Sequence, residues 1–323
     1  MQSTDTTDWI PSDDGTRLFL RRWIPGSPSR AVVLIVHGMA EHSLRYELLA
    51  RRLTGEGFEV WAADARGHGM TADPAVNHPG TGGLLGHCAD RDGFFRVVTD
   101  INILVDAVKE AHPDLPLFIL GHSWGSFLTQ AYIEAHGDRL AGCLLSGTRG
   151  PGGLQIIFGV PLMGLFAILR GKRRFSTLSW ALANGSYNKQ FRPNRTFFDW
   201  LSRDEQAVDA FAADPLSGMG CSSGFYRDLI RGLRAIHRPK AMNRIPRTLP
   251  IYIFCGSADP VGDRGESPTA LVTAYRTLGI EDLEFVLYPD ARHELLNETN
   301  RDEVMGNILR WLTRHMPQQG EQP

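Results

Sequence analysis

Five short runs of consecutive apolar residues constrain this chain more than any other feature of its sequence. Each run ends at a glycine or a polar residue, and the five occupy residues 30–38, 115–123, 139–147, 249–257 and 283–290. A strand that is apolar at successive positions is buried on both faces, as in a parallel sheet covered by helices. Because helical patterns separate the runs, the alternation predicts an α/β fold with right-handed crossovers.

The regular alternation is interrupted between residues 150 and 245. This stretch begins after the carboxyl end of a strand, where ligands bind in open α/β sheets, and it carries apolar and aromatic-rich segments. We therefore predict a helical cap over residues 150–245, inserted into a core formed by residues 1–149 and 246–323. In residues 8–24 an Asp-Gly turn between two strand-like stretches predicts an antiparallel edge to the sheet.

Composition and charge argue against several classes of protein. The 323 residues are 42% hydrophobic and 22% charged, and the net charge of −2 gives no electrostatic basis for binding nucleic acid. The first 17 residues are polar and acidic and lack a secretory signal pattern, which predicts a cytoplasmic protein. The cysteines are widely spaced, and we expect buried, reduced thiols. They are Cys88, Cys143, Cys221 and Cys255.

Residues 121–125 have the pattern G-x-S-x-G, with Ser123 at its centre. The pattern follows an apolar run and opens a helical one, which is the context of a nucleophile elbow whose tight turn needs the small Gly121 and Gly125. The motif is short, and a serine that caps a helix is the alternative interpretation. The neighbouring His122 cannot be the base that activates the serine, because its side chain leaves the elbow in another direction.

A nucleophilic serine needs a base from elsewhere in the chain. His293 lies on a loop just after the last apolar run, and Asp259 lies in the turn after the preceding one. The order Ser123, Asp259, His293 is that of α/β-hydrolase triads, and parallel strands bring their carboxyl ends to one edge. Asp263 and Asp290 are the alternative carboxylates.

Backbone donors for an oxyanion are predicted at two turns. His37 and Gly38 follow a strand and direct the N–H group of Met39 towards the cleft, and the elbow directs the N–H group of Trp124 towards the same space. The histidines and glutamate of residues 37–42 miss the spacing of a zinc motif by one residue. We therefore expect no metal ion. The glycine-rich loop of residues 64–69 is predicted to support the site structurally and to take no part in the reaction.

Five collinear motifs resemble the monoacylglycerol lipase and lysophospholipase family of α/β-hydrolases. They are HGMAEHSLRY, DARGHG, GHSWGS, GSADPVG and YPDARHELLNE, and they lie within a resemblance that spans nearly the whole chain. The resemblance implies an α/β-hydrolase fold with a central, mostly parallel sheet and a helical cap. It also implies Ser123, Asp259 and His293 as the triad, Met39 and Trp124 as oxyanion donors, and no cofactor.

The resemblance also points to a polar end of the substrate site. In relatives, the residues that match Glu41 and Arg45 lie near the glycerol end of the substrate, so both are candidates for contact with a head group. An internal ion pair between them is the alternative. Ser126 stands where many relatives have a glycine, which tightens packing after the elbow. Because the cap varies most in such proteins, substrate identity transfers poorly.

These patterns predict a serine carboxylester hydrolase for lipids with a single acyl chain. The rival activities are a general esterase and an amide or peptide hydrolase that holds an ammonium group with the acidic residues of 202–215; a non-catalytic receptor is the third rival. The apolar residues 154–169 are too few to span a bilayer. They either line an acyl tunnel or lie on the inner membrane surface, with the basic residues of 170–174 facing anionic head groups.

Overall fold

The computed structural model describes residues 4–152, 171–175 and 187–316, and its centre is an eight-stranded sheet. The strand order is β1-β2-β4-β3-β5-β6-β7-β8. Strand β2 is antiparallel to β1 and to β4, and all other neighbours are parallel. The strands are β1 (Thr4–Pro11), β2 (Arg17–Ile24), β3 (Ala31–Val36), β4 (Phe58–Ala63), β5 (Leu117–His122), β6 (Gly142–Ser146), β7 (Ile251–Gly256) and β8 (Leu283–Tyr288).

Helices cover the sheet and supply its crossovers. Helix α1 connects β3 to β4, α2 connects β4 to β5, α3 connects β5 to β6, and α7 connects β7 to β8. The α-helices of the described residues are α1 (Glu47–Gly55), α2 (Gly93–Ala111), α3 (Trp124–His136), α4 (Glu205–Ala213), α5 (Ser223–Ile236), α6 (Pro239–Met242), α7 (Glu266–Thr277) and α8 (Arg301–Arg314). The predicted α/β-hydrolase fold class is confirmed.

Burial follows the apolar runs except at one edge. Strands β3 to β7 are buried at every position, as expected for strands packed on both faces. The prediction is wrong for β8, most of whose residues are only half-buried, because this strand lies at the edge of the sheet. At the other edge, β1 and β2 pair antiparallel around a turn in which Ser12 N donates to Thr16 O, as the Asp-Gly turn predicted.

Helices α4, α5 and α6 lie between β6 and β7, within the predicted cap. Helix α5 packs against α2 and α3, and its apolar side chains join the core on that side of the sheet. The boundaries of residues 150–245 as a separate cap stay a prediction. The apolar segment 154–169 lies outside the described residues. Within the described ranges, no helix is both long and apolar enough to cross a bilayer.

The four cysteines are buried and unpaired by disulfides, as the sequence predicted. Cys88 lies under the loop of residues 64–69, where its thiol donates to Arg66 O. Cys143 and Cys255 lie in β6 and β7, and Cys221 lies beside α5. Burial raises the pKa of all four thiols above its ordinary value, so the thiolate forms that would react are disfavoured.

Arg66, in the loop of residues 64–69, is a fully buried guanidinium. It donates to both carboxylate oxygens of Asp100 at 2.6 and 2.8 Å and to both of Asp14 at 2.6 and 2.9 Å. The Ser12 hydroxyl accepts a further hydrogen bond at 2.8 Å. These contacts tie the loop to α2 and to the β1–β2 turn, which fits the predicted bracing role.

Replacing Arg66 by alanine should destabilise the fold strongly, because the nearly buried Asp100 would lose its countercharge. We expect the free energy of unfolding, measured by urea denaturation, to fall by about 3–5 kcal/mol. The matched control is Arg51→Ala, which breaks exposed pairs with Asp5 and Glu47 and should cost less than about 1 kcal/mol. Equal losses in the two variants would contradict this role for Arg66.

Candidate active site

Ser123 lies at the sharp turn between β5 and α3. Its backbone has φ 53° and ψ −122°, a region that non-glycine residues rarely adopt. A side chain at Gly121 would place its Cβ 2.6 Å from Gly125 O, and one at Gly125 would lie 2.1 Å from Val36 O. Both positions therefore require glycine. The two glycines of the G-x-S-x-G pattern are explained by this close packing, at Gly121 within the turn and at Gly125 against β3.

The Ser123 hydroxyl is the start of a hydrogen-bonded relay. Its Oγ–H donates to His293 Nε2 at 2.8 Å, and His293 Nδ1–H donates to Asp259 Oδ2 at 2.9 Å. The remaining oxygen of Asp259 accepts from Val261 N at 2.8 Å. Both Asp259 and His293 are almost completely buried. The structure thus brings together the three residues that the sequence selected from separate loops.

Two opposing effects act on the pKa of the His293 imidazole. Burial alone would lower it, but the charge of Asp259 and the hydrogen bond to that carboxylate outweigh burial and raise the pKa above its ordinary value. Neither of the alternative carboxylates is the hydrogen-bond partner of His293. Asp263 is exposed and pairs with Arg149 at 3.3 Å, and Asp290 is exposed.

His122 also lies in the site, but its pKa is shifted in the opposite direction from that of His293. Its ring centre is 4.9 Å from that of His293, and its Nδ1 is 3.2 Å from Ser146 Oγ. Burial, followed by the neighbouring His293, lowers the pKa of His122 to about 4, so it is neutral at neutral pH. Among the described residues it has no hydrogen bond to Ser123, in agreement with its exclusion as the base.

The two predicted oxyanion donors are the backbone amides of Trp124, which follows Ser123 in the chain, and of Met39, which lines the same cavity as Ser123. A Cβ at Gly38 would lie 3.3 Å from Ser123 Cβ, so the Gly38–Met39 backbone passes directly beside the nucleophile candidate. Within the described ranges, neither Met39 N nor Trp124 N donates to a protein acceptor. The Trp124 ring is buried against His68, with ring centres 5.0 Å apart, and does not line the cavity at Ser123.

Glu41 and Arg45 form the internal ion pair that the sequence left as an alternative. Arg45 donates to Glu41 at 2.8 Å and makes a bidentate pair with Glu294 at 2.5 and 2.7 Å. Glu41 also accepts from Gly38 N and from Tyr46 OH. Burial opposes ionisation of Glu41, but Arg45 and nearby imidazoles hold its pKa at about 2. The network fixes the turn that carries Met39.

A cavity opens above Ser123 and has two unlike sides. Its polar side includes Glu41, His122 and Glu294. Its apolar side comes from Met39 and from residues 197–219. The apolar residues of that range at the cavity are Phe197, Phe198, Trp200, Leu201, Phe211 and Met219. Phe197 is 77% exposed and marks the open side of the cavity.

Sequence reasoning did not assign a role to several residues of this site. Glu294 directly follows His293 and pairs with Arg45. The sequence does not show this pair, because the two residues are far apart in the chain. Trp200 packs against the His293 ring with centres 5.1 Å apart. The aromatic richness of residues 191–201 was visible in the sequence, whereas its position over the base was not. Within the described residues, no cluster of His, Cys, Asp and Glu could hold a metal ion.

A model of a hydrolase family, the serine aminopeptidase S33 family, matches residues 27–300. The chain belongs to this family. The monoacylglycerol lipase of Mycolicibacterium smegmatis is 29% identical over 305 residues, which cover 94% of this chain and 95% of that protein. The monoglyceride lipase of Mus musculus is 28% identical over 313 residues, which cover 95% of this chain and 90% of that protein. The resemblance drawn from the five motifs is confirmed.

The solved structures agree with this S33 family membership. A thermostable carboxyl esterase from Bacillus coagulans, solved in complex with glycerol, superposes with a TM-score of 0.88. It is 27% identical, and the match covers 98% of this chain and 100% of that chain.

The raised pKa of His293 can be measured without reference to activity. In an NMR titration of the histidine Cε1 signals, we expect His293 to titrate above the ordinary value of about 6.5. In Asp259→Asn the favourable charge is lost and burial remains, so the pKa of His293 should fall below that value. His237 is the internal control, because burial and Arg149 set its pKa, and it should titrate near its value of about 4 in both proteins. An unchanged His293 titration in the variant would contradict the assignment.

Proposed function

We propose that the chain is a serine carboxylester hydrolase that acts on lipids with a single acyl chain. Monoacylglycerols and lysophospholipids are the first substrates to consider. The observation that carries this proposal is the relay from Ser123 through His293 to Asp259, placed at the floor of a cavity with one apolar and one polar side. A relay alone supports acyl transfer, and the apolar side adds a place for an acyl chain.

The proposed first step is attack of Ser123 Oγ on the ester carbonyl carbon. His293 Nε2 accepts the hydroxyl proton, and Asp259 stabilises the imidazolium that forms. The amides of Met39 and Trp124 stabilise the negative charge on the carbonyl oxygen; one such donor is typically worth about 10²–10³ in rate. His293 then donates the proton to the leaving alcohol, and an acyl group remains on Ser123.

The proposed second step returns the enzyme to its starting state. Water attacks the acyl carbon while His293 Nε2 accepts its proton, and the tetrahedral intermediate expels Ser123 Oγ, which regains the proton. No cofactor takes part in these steps. Because His293 acts as a base only when neutral and its pKa is raised, we expect activity to fall as the pH drops through that elevated pKa.

The two sides of the cavity suggest how the substrate lies. We place the acyl chain against the aromatic residues of 197–211 and the head group against Glu41 and Glu294. Arg45 is engaged by both carboxylates, so in this proposal it acts through Glu41 and not as a direct ligand. The relatives named as monoacylglycerol lipases, and the esterase solved with glycerol, support a glycerol ester as substrate.

Peptide hydrolysis is the rival activity, which the name of the serine aminopeptidase family suggests. It needs an acidic group in the cavity to hold an ammonium group. The acidic residues of 202–215 have other partners: Asp204 caps α4 and pairs with Arg301, Glu205 and Asp209 pair with Arg195, and Asp214 pairs with His42. None of these lines the cavity, and the two acidic residues that do line it, Glu41 and Glu294, are both paired with Arg45. We therefore favour ester over peptide substrates.

The membrane contact of the predicted cap is also a proposal. Lys172 and Arg173 are tied to Asp90 at 3.5 and 2.6 Å, so part of their charge is already neutralised. Arg174 is exposed, and among the described residues it has no acidic partner within 4.0 Å. A cytoplasmic protein that touches the inner membrane surface through residues 150–245 remains our expectation.

Covalent labelling tests the nucleophile. We expect a fluorophosphonate probe to label the wild-type protein and Ser126→Ala, and to leave Ser123→Ala unlabelled, because the Ser123 hydroxyl donates to His293 whereas the Ser126 hydroxyl donates to Ser123 O and Thr148. The same variants should separate in hydrolysis of glyceryl monoesters, with Ser123→Ala reduced by at least about 10⁴-fold. Labelling that persists in Ser123→Ala would refute the proposal, and labelling without turnover of any ester would point to a receptor.

A second test concerns the apolar side of the cavity. Phe198 lines it and packs edge-on against Phe211 with ring centres 4.9 Å apart. We expect Phe198→Ala to lower kcat/KM for long-chain p-nitrophenyl esters roughly tenfold or more, and for the acetyl ester less than about twofold. Phe95→Ala removes an exposed ring that does not line the cavity and is the matched control. A wild-type enzyme without preference for acyl chains over acetyl would instead favour a general esterase.

A further inference from the structure

Arg149 is a buried guanidinium whose charge is incompletely paired. It lies just after β6, and only 8% of the residue is exposed. Among the described residues, Arg66 is the other arginine buried to this degree, and two carboxylates each bind it through both oxygens. Arg149 contacts one oxygen of Asp263 at 3.3 Å, and its Nε has no hydrogen-bond partner. Because an unpaired donor of a buried charged group is costly, Arg149 is suited to an acceptor from outside the chain.

The side chain of Arg149 lines a second cavity, with a volume of about 460 Å³. None of the residues that line it lines the cavity above Ser123. Tyr187, in its wall, packs against Trp200 with ring centres 4.9 Å apart, and Trp200 packs against His293 at 5.1 Å. The second cavity is therefore a separate site, and two aromatic rings connect its wall to the base of the relay.

Two exposed cations also line this second cavity. They are Lys189 and Arg264, and within the described ranges neither has a carboxylate within 4.0 Å. Exposed cations of this kind occur elsewhere on the protein, for example Arg17 and Arg30, so by themselves they indicate no site. Here they share one concave space with the buried Arg149, whose planar guanidinium suits a phosphate or carboxylate. The combination of a buried and two exposed cations indicates a site for a multivalent anion.

Two carboxylates in the same wall narrow the choice of anion. The Asp263 side chain is 53% exposed, so a stronger anion can displace it from Arg149 into solvent. Glu266 lies in the first turn of α7 and is suited to accept hydrogen bonds from the hydroxyl groups of a ligand. The volume lies in the range of about 300–1,000 Å³ that is typical of small-molecule sites and exceeds the needs of a free phosphate ion. The cavity thus fits a phosphate group carried on a small hydroxylated molecule.

We propose that the second cavity binds the phosphate monoester of a small hydroxylated molecule, such as a sugar phosphate. The phosphate oxygens accept hydrogen bonds from Arg149, Lys189 and Arg264, and Asp263 takes the place of the anion on Arg149 when no ligand is bound. A phosphate monoester carries nearly two negative charges at neutral pH, which matches these cations better than the single charge of a carboxylate. This proposal goes beyond ester hydrolysis and does not rest on it.

Isothermal titration calorimetry on the full chain tests the proposed phosphate site. The probes are glucose 6-phosphate, inorganic phosphate and glycerophosphocholine, a phosphate diester that carries the head group of a lysophospholipid. At constant ionic strength, we expect affinity to fall in that order, because glucose 6-phosphate combines two negative charges with hydroxyl groups. Glucose 6-phosphate should also raise Tm, since it binds the folded state.

Substitutions at Arg149 and Asp263 should change the affinity for glucose 6-phosphate in opposite directions. Arg149→Gln removes the guanidinium and should weaken binding about tenfold or more. Asp263→Asn removes the competing charge and should tighten binding about threefold. Asparagine tolerates the left-handed backbone of this position, where φ is 49°. The matched control is Arg276→Gln, which removes an exposed cation outside the cavity and should bind within about twofold of wild type.

Folding of the variants is measured separately from binding. Cooperative thermal unfolding of each variant without ligand shows that it folds. Arg149→Lys keeps the charge but loses the planar guanidinium, so it should also bind weakly. This variant keeps the proposal testable if Arg149→Gln does not fold.

Three results would overturn the proposed phosphate site. They are the absence of saturable binding of glucose 6-phosphate, wild-type affinity in the folded Arg149 variants, and an equal loss of affinity in Arg276→Gln. Tighter binding of glycerophosphocholine than of glucose 6-phosphate would overturn the monoester assignment and make the cavity a site for a lipid head group. Binding of glucose 6-phosphate by a chain that hydrolyses no ester overturns the proposed function and leaves this site standing, so the two failures are distinguishable.

Discussion

The close approach of the Ser123 turn to β3 is the constraint on which the rest of the site depends. Gly125 lies so near the carbonyl groups of Val36 and His37 that a Cβ would overlap with both oxygens. In the same turn Ser123 has a backbone conformation that non-glycine residues rarely adopt, and its hydroxyl reaches His293 Nε2. A Cβ at Gly38 would lie 3.3 Å from Ser123 Cβ, so the backbone before Met39 passes beside this turn. Close packing of the two turns therefore brings the proposed nucleophile next to the backbone that carries a proposed oxyanion donor.

Buried charges hold the loops that surround this turn. Asp259 is fully buried and has His293 and a backbone amide as partners. Arg45 joins Glu41, which fixes the Gly38 turn, to Glu294, which follows the base. Asp259 and Glu294 have their partners in other segments of the chain. Since an unpaired buried charge is costly, these pairs make the loops depend on one another.

Much of the fold was predictable because it rests on local patterns. Apolar runs identified the buried strands, and alternation with helices identified the α/β class. The prediction of burial on both faces was wrong only for β8, because an apolar run does not show whether its strand lies at the edge of the sheet. The loops that carry Ser123, Asp259 and His293 were also predictable, because residues at the carboxyl ends of parallel strands converge at one edge. The pair of Arg45 with Glu294 and the packing of Trp200 on His293 were not predictable, because they join segments that are distant in the sequence.

The sequence by itself determined the fold class, the family and the residues that could act as nucleophile, base and acid. These follow from periodicity, glycine positions and chain order, all of which are local or collinear. Only the tertiary structure decided that Glu41 and Glu294 share Arg45 as their partner, and that Asp204 and Asp214 have their partners outside the cavity. A charge in a sequence has no assigned partner, because its interaction depends on a distance that only folding establishes.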